Sequence, residues 1–64
     1  MTEREIEVLM EVARGLSDKE IATKLYLSES TVKSHLRAIY RRLKLRNRAH
    51  AAAFAIERNL VNPD

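Results

Sequence analysis

The sequence predicts an all-α fold, a four-helix bundle with a helix-turn-helix inside it. Three observations carry that prediction. Capping residues recur at Thr2, Ser17, Ser28 and Asn47, each directly ahead of a stretch with helical spacing. A single Gly and a single Pro in 64 residues leave little chain for hairpin turns. The stretch from Leu27 to Lys44 places Val32, Leu36, Ile39 and Leu43 in one apolar stripe at the recurrence of a helix.

Thr2-Glu3-Arg4-Glu5 opens the first helix as a capping box: Thr2 caps the first turn and Glu5 reaches back to its backbone N–H. This helix carries Ile6, Leu9, Met10 and Ala13 on one face, widened by Val8 and Val12. Gly15 ends it, because glycine takes the left-handed position after a helix without steric cost. Ser17-Asp18-Lys19-Glu20 is a second capping box and opens a short helix to about Leu25, with Ile21, Ala22 and Leu25 inward. Tyr26 and Leu27 form the turn, with Leu27 as its buried anchor, and Ser28 caps the long third helix. The small Ala22 lets that helix approach closely, and the pair makes a helix-turn-helix over about 17–44. Lys44-Leu45-Arg46 connects to a last helix of about 48–59, capped by Asn47. Leu60 and Val61 tuck back, and Pro63 stops any further helix. There is no internal repeat and no linker, so residues 1–64 form one domain.

The last helix is apolar nearly all round. Ala49, Ala52, Ala53, Ile56 and Leu60 make a core-facing side, which leaves Ala51, Phe54 and Ala55 over. Two readings of that remainder stand. Alanine is there for helix propensity, or the small residues let two copies of the helix pack closely as a self-association surface.

The third helix has a different second face. Ser30, Lys33, Ser34, Arg37 and Arg41 lie opposite the apolar stripe, with no acid after Glu29. On the order of 25 Å long at about 1.5 Å per residue, such a helix fits a DNA major groove. Charge is segregated in the same sense. Residues 1–29 hold seven acids and four bases, net −3, and residues 30–64 hold eight bases and two acids, net +6. A basic half facing one way is the footprint of a polyanion binder, against the plainer reading of a solvated helix face. Other classes find little support. There is no cysteine, and His35 and His50 lack partners at metal-ligand spacing, so no metal or cofactor is expected. No apolar run approaches the roughly 18 residues of a membrane span, and no signal peptide is visible, so a cytoplasmic protein is expected. No nucleophile–base pair or phosphate-cradling glycine loop is present, so the chain is read as no enzyme.

These residues resemble the LuxR-type DNA-binding domain, also called the GerE or NarL/FixJ type. The resemblance runs from Thr2 to about Ile56. Its most specific part is Gly15-Leu16-Ser17-x-Lys19-Glu20-Ile21-Ala22 followed by Leu27-Ser28-x-x-Thr31-Val32-Lys33-x-His35. Thr2, Glu5, Val8, Leu9, Leu25, Ile39, Leu43, Asn47, Arg48 and Ala51 also fit. The resemblance implies four helices without a wing, the third reading the major groove and the fourth forming a dimer contact. It further implies a bacterial transcription regulator, the C-terminal effector domain of a two-component response regulator, with double-stranded DNA, a second copy and, when activating, RNA polymerase as partners. Met1 stands where the family has Leu and, upstream, a sensory or receiver domain, so the chain reads as an excised domain or a stand-alone regulator. Two departures stand out. Arg42-Leu43-Lys44-Leu45 replaces the commoner Lys-Leu-Gly-Val, which bears on the turn into the last helix. Ala49-His50 replaces Thr-Gln or Thr-Glu, which removes a hydroxyl near that helix's start.

Base reading is expected from Lys33, Ser34 and Arg37, the first and last of which match reading positions of the family. Lys33 and Arg37 can donate to guanine O6 and N7. Phosphate contacts are expected from Lys19, Ser30, Thr31, Arg41 and Arg48, with Thr31 alternatively serving the first turn of its own helix. The dimer interface is expected at Ala51, Phe54 and Ala55. His35 reads as a semi-buried histidine with one satisfied nitrogen, against the alternative of a pH switch, and Tyr40 as a packing residue with a polar tip. No small-molecule ligand is expected. The rival function is a helical protein-interaction module that uses the Ala-rich last helix.

Overall fold

The computed structural model describes residues 1–60, which form four helices and no strand: α1 Glu3–Ala13, α2 Asp18–Leu25, α3 Glu29–Leu43 and α4 Arg48–Glu57. The expectations for Val61 and Pro63 fall outside the described residues. The all-α fold and its four starts are as expected. Thr2 Oγ1 accepts the Glu5 N–H at 3.1 Å while Glu5 Oε1 accepts the Thr2 N–H at 2.9 Å. Ser17 and Glu20 repeat this at 3.1 and 2.8 Å. Ser28 Oγ accepts the Thr31 N–H at 3.1 Å, and Asn47 Oδ1 accepts the His50 N–H at 2.8 Å. Each cap satisfies a backbone donor that the helix cannot, worth typically about 1 kcal/mol.

The helices also end by one shared device. A residue with positive φ follows each of them: Gly15, Tyr26, Lys44 and Asn59. The next residue is a leucine whose N–H reaches back five residues, Leu16 to Glu11 O, Leu27 to Ala22 O, Leu45 to Tyr40 O and Leu60 to Ala55 O, at 2.8–3.2 Å. This closure turns the chain and drops an apolar side chain back onto the helix it has left. Leu45 is buried, and Leu16, Leu27 and Leu60 pack against the core. The turn at Lys44 is therefore kept without glycine: Lys44 sits at φ 57, ψ 41.

Within the fold α4 lies on α1, α2 on α3, and α1 bridges the two pairs. Val8, Leu9, Ile21, Val32 and Ile39 are the largest fully buried side chains. Burying each contributes roughly 1.5–3 kcal/mol. The stripe of α3 is inward as expected, with Val32, Leu36 and Ile39 buried and Leu43 packed at its end. The face of α1 is turned from the expected one: Val8, Leu9 and Val12 are buried, whereas Ile6, Met10 and Ala13 are half-buried.

The turned face of α1 takes Glu5 and Glu11 inward with it. Glu11 accepts Arg14 at 2.9 Å and Lys24 of α2 at 3.0 Å, and Glu5 accepts Arg42 of α3 at 2.7 Å. Among the described residues no buried side-chain nitrogen or oxygen lacks a partner. The α4 expectation is corrected. Ala51 and Ala55 are fully buried in this chain's own core and cannot form a surface, and Phe54 is half-buried against that core. Ala49, Ala53 and Ile56, expected inside, are exposed. The reason is size: Ala51 and Ala55 lie one turn apart and let α4 come close to α1, which larger residues at those positions would prevent.

Candidate nucleic-acid interface

The α2–α3 pair leaves one face of α3 outward. Ser30, Lys33, Ser34, Arg37 and Arg41 are all exposed on it, opposite Val32, Leu36 and Ile39. With 15 residues, α3 is about 22 Å long. Among the described residues Lys33, Arg37 and Arg41 enter no ion pair, whereas Arg14, Lys24, Arg42 and Arg48 each hold a carboxylate. The cations facing outward on α3 are thus available to an external anion.

At the start of α3 the hydroxyls form a local network. Ser28 Oγ donates to Thr31 Oγ1 at 2.8 Å and lies 3.1 Å from Ser30 Oγ. Thr31 is half-buried and joined to the cap, while Ser30 is exposed. Lys19 is exposed in the first turn of α2. Glu20 beside it is occupied as the N3 partner of Ser17, whose backbone N–H holds the Glu20 carboxyl below its ordinary value. Tyr26, in the turn, is 95% exposed. His35 is half-buried beside the stripe.

Between α3 and the starts of α2 and α4 runs a cleft of about 270 Å³, lined by Asp18, Lys33, Leu36, Arg37, Tyr40 and Arg48. Arg48 occupies its edge. Its Nη1 donates to Asp18 Oδ1 at 2.7 Å and its Nη2 to the Leu16 carbonyl at 2.6 Å. Both terminal nitrogens of the residue expected to contact phosphate are thus engaged inside the chain. Burial raises the Tyr40 hydroxyl above its ordinary value, with Arg48 opposing and Asp18 adding to that shift. At the connector, His50 Nδ1 accepts the Arg46 N–H at 3.1 Å, so His50 reaches back to the residue before the Asn47 cap, where the acid or amide of a capping box would bond the cap's own N–H.

The structure brings Lys33 and Arg37 to one cleft and sets Ser34 and Arg41 on the same exposed face. Sequence reasoning missed the Arg48–Asp18 pair, since the partners stand 30 residues apart. Among the described residues no helix is long and apolar enough to cross a membrane, and no cluster of His, Cys, Asp and Glu could hold a metal ion.

The family model of bacterial regulatory proteins of the luxR family matches residues 1–55. The transcriptional regulatory protein LnrK of Bacillus subtilis (strain 168) is 52% identical over 56 residues, which cover 88% of this chain and 26% of that protein. The nitrate/nitrite response regulator protein NarP of Escherichia coli (strain K12) is 47% identical over 57 residues, 89% of this chain and 26% of that protein. Among solved structures, that of the response regulator ChrA of a heme-sensing two-component system superposes with a TM-score of 0.84 and 43% identity, over 94% of this chain and 30% of that one. The chain thus spans between a quarter and a third of the length of these relatives.

Proposed function

Because the chain belongs to the luxR family of bacterial regulatory proteins, we propose that it binds double-stranded DNA sequence-specifically as the effector part of a cytoplasmic two-component transcription regulator. The observation that carries this reading is the row of exposed cations on α3, Lys33, Arg37 and Arg41, which hold no carboxylate among the described residues. In this reading α3 enters the major groove. Lys33 and Arg37 donate to base edges and Ser34 adds a short polar contact. Lys19, Ser30, Thr31 and Arg41 hold phosphates on either side. Affinity comes largely from phosphate neutralisation and falls steeply with salt.

The domain acts as a homodimer on two half-sites about one helical turn apart. The dimer surface moves from the buried Ala51 and Ala55 to the exposed side of α4, Ala49, Ala53 and Ile56, where an apolar residue that is 37% exposed sits beside two alanines. RNA polymerase is the further partner when the regulator activates.

Selection from a randomised duplex pool at about 0.15 M salt, with sequencing of the bound fraction, tests this. Two related half-sites at fixed spacing are expected. A single half-site would keep the reading of α3 and remove the homodimer. Retention without enrichment would remove specificity. No retention would move the weight to a protein-interaction module that uses the exposed side of α4.

A further inference from the structure

We propose that Arg48 is a positioning residue for DNA recognition, which occupies the Asp18 carboxylate and so keeps Lys33 and Arg37 free for the duplex. The inference rests on the reading of α3 given above. Asp18, Lys33 and Arg37 line one cleft. Yet Asp18 pairs with neither α3 cation: its Oδ1 is held by Arg48 Nη1 at 2.7 Å. The same guanidinium is anchored by its Nη2 on the Leu16 carbonyl at 2.6 Å, so it is fixed from two sides. The Asp18 side chain is 22% exposed and that of Arg48 41%, so the pair is partly withdrawn from water and its screening. Without Arg48, an uncompensated carboxylate would sit at the wall of the groove-facing cleft. It would draw in the cations of α3 and repel the phosphates that flank the site.

This role differs from the phosphate contact the sequence suggests for Arg48. A phosphate contact adds one released counterion to the salt dependence, and losing it lowers the slope by about one. A residue that masks Asp18 acts through Asp18, so removing Asp18 removes the need for it.

The test is a double-mutant cycle on the intact chain with Arg48→Gln, Asp18→Asn and the pair together. It reads affinity for a selected duplex against salt, and solvent exchange of the Arg37 Nε–H without DNA. Arg48→Gln is expected to lose about tenfold in affinity for the selected duplex, the scale of one base contact, with slower Arg37 exchange as Asp18 captures it. Asp18→Asn is expected to keep wild-type affinity, and the double variant to return to it with the exchange restored. Arg48→Lys keeps a cation for Asp18 but not the second anchor, and is expected to retain selectivity, which makes the test independent of the folding of Arg48→Gln.

No recovery in the double variant, together with a slope lower by about one, would overturn the inference in favour of a phosphate contact. Loss of selectivity in Arg48→Lys would overturn it in favour of a purely structural clamp. If the wild-type chain fails to select DNA, the reading of α3 falls, while unchanged Arg37 exchange in Arg48→Gln overturns the masking by itself.

Discussion

Arg42 and Glu5 stand 37 residues apart in sequence and meet at 2.7 Å, Nη1 on Oε1, between α3 and α1. The same carboxylate oxygen accepts the Thr2 N–H at 2.9 Å. One buried acid therefore closes the N-terminus of α1 and ties it to the helix that carries the basic row. The Thr2 N–H, assisted by the Arg42 charge and opposed by burial, holds the Glu5 carboxyl below its ordinary 4.5.

A lowered native value places stability above the unfolded value and removes it as pH falls through the native one. Glu5→Gln is expected to lower the urea midpoint at pH 7. The gap to wild type is expected to narrow as pH falls from the unfolded value of 4.5 through the lower native value, where the folded carboxylate becomes protonated as well. Urea titrations of both chains between neutral and acidic pH check this. A gap that is constant across that range would show that the charge of Glu5 does not matter.

Lys44 holds a left-handed conformation, φ 57, without a glycine's freedom, a conformation that costs an L-residue roughly 1–2 kcal/mol. Lys44→Gly is expected to stabilise the chain by up to about 1 kcal/mol, after the greater unfolded-state entropy of glycine is counted. Tyr26 is in the same position, with φ 58 and a side chain that buries almost nothing. Tyr26→Gly is expected to act in the same direction. Lower urea midpoints in both variants would contradict the closure described for these turns.

The two sides of α4 separate folding from assembly. Ala55→Leu forces methylenes into the α1 contact and is expected to cost about 1–3 kcal/mol. Ala53→Glu is on the exposed side and is expected to leave stability within about 0.5 kcal/mol. It is expected to abolish cooperative binding to paired half-sites while leaving single half-site binding in place. Gel-shift titrations on one-site and two-site duplexes, beside urea unfolding, distinguish the two. Undiminished cooperativity in Ala53→Glu would remove the exposed side of α4 as the dimer surface.

What the sequence made legible follows from how local each signal is. The caps at Thr2, Ser17, Ser28 and Asn47 act within three residues, and all four start helices. The stripe of α3 was readable because its other face is polar throughout, so only one rotation buries apolar surface. The last helix had no such contrast, and with alanines on every side its orientation was set by how closely α4 approaches α1. Glu5, Glu11 and Arg48 were opaque for another reason. Each holds a partner contributed by another helix, at 37, 13 and 30 residues' distance. The exposed row Lys33, Ser34, Arg37 was legible as a face, whereas the cleft that joins it to Asp18 required the packing of α2, α3 and α4.

The decisive measurement is the ratio of affinities for a selected duplex and a random one at about 0.15 M salt, for Arg37→Ala beside Lys19→Ala. If α3 reads bases, Arg37→Ala lowers the ratio about tenfold or more. Lys19→Ala then weakens both duplexes alike and leaves the ratio as in the wild type. An unchanged ratio in Arg37→Ala would contradict base reading by the outward face of α3.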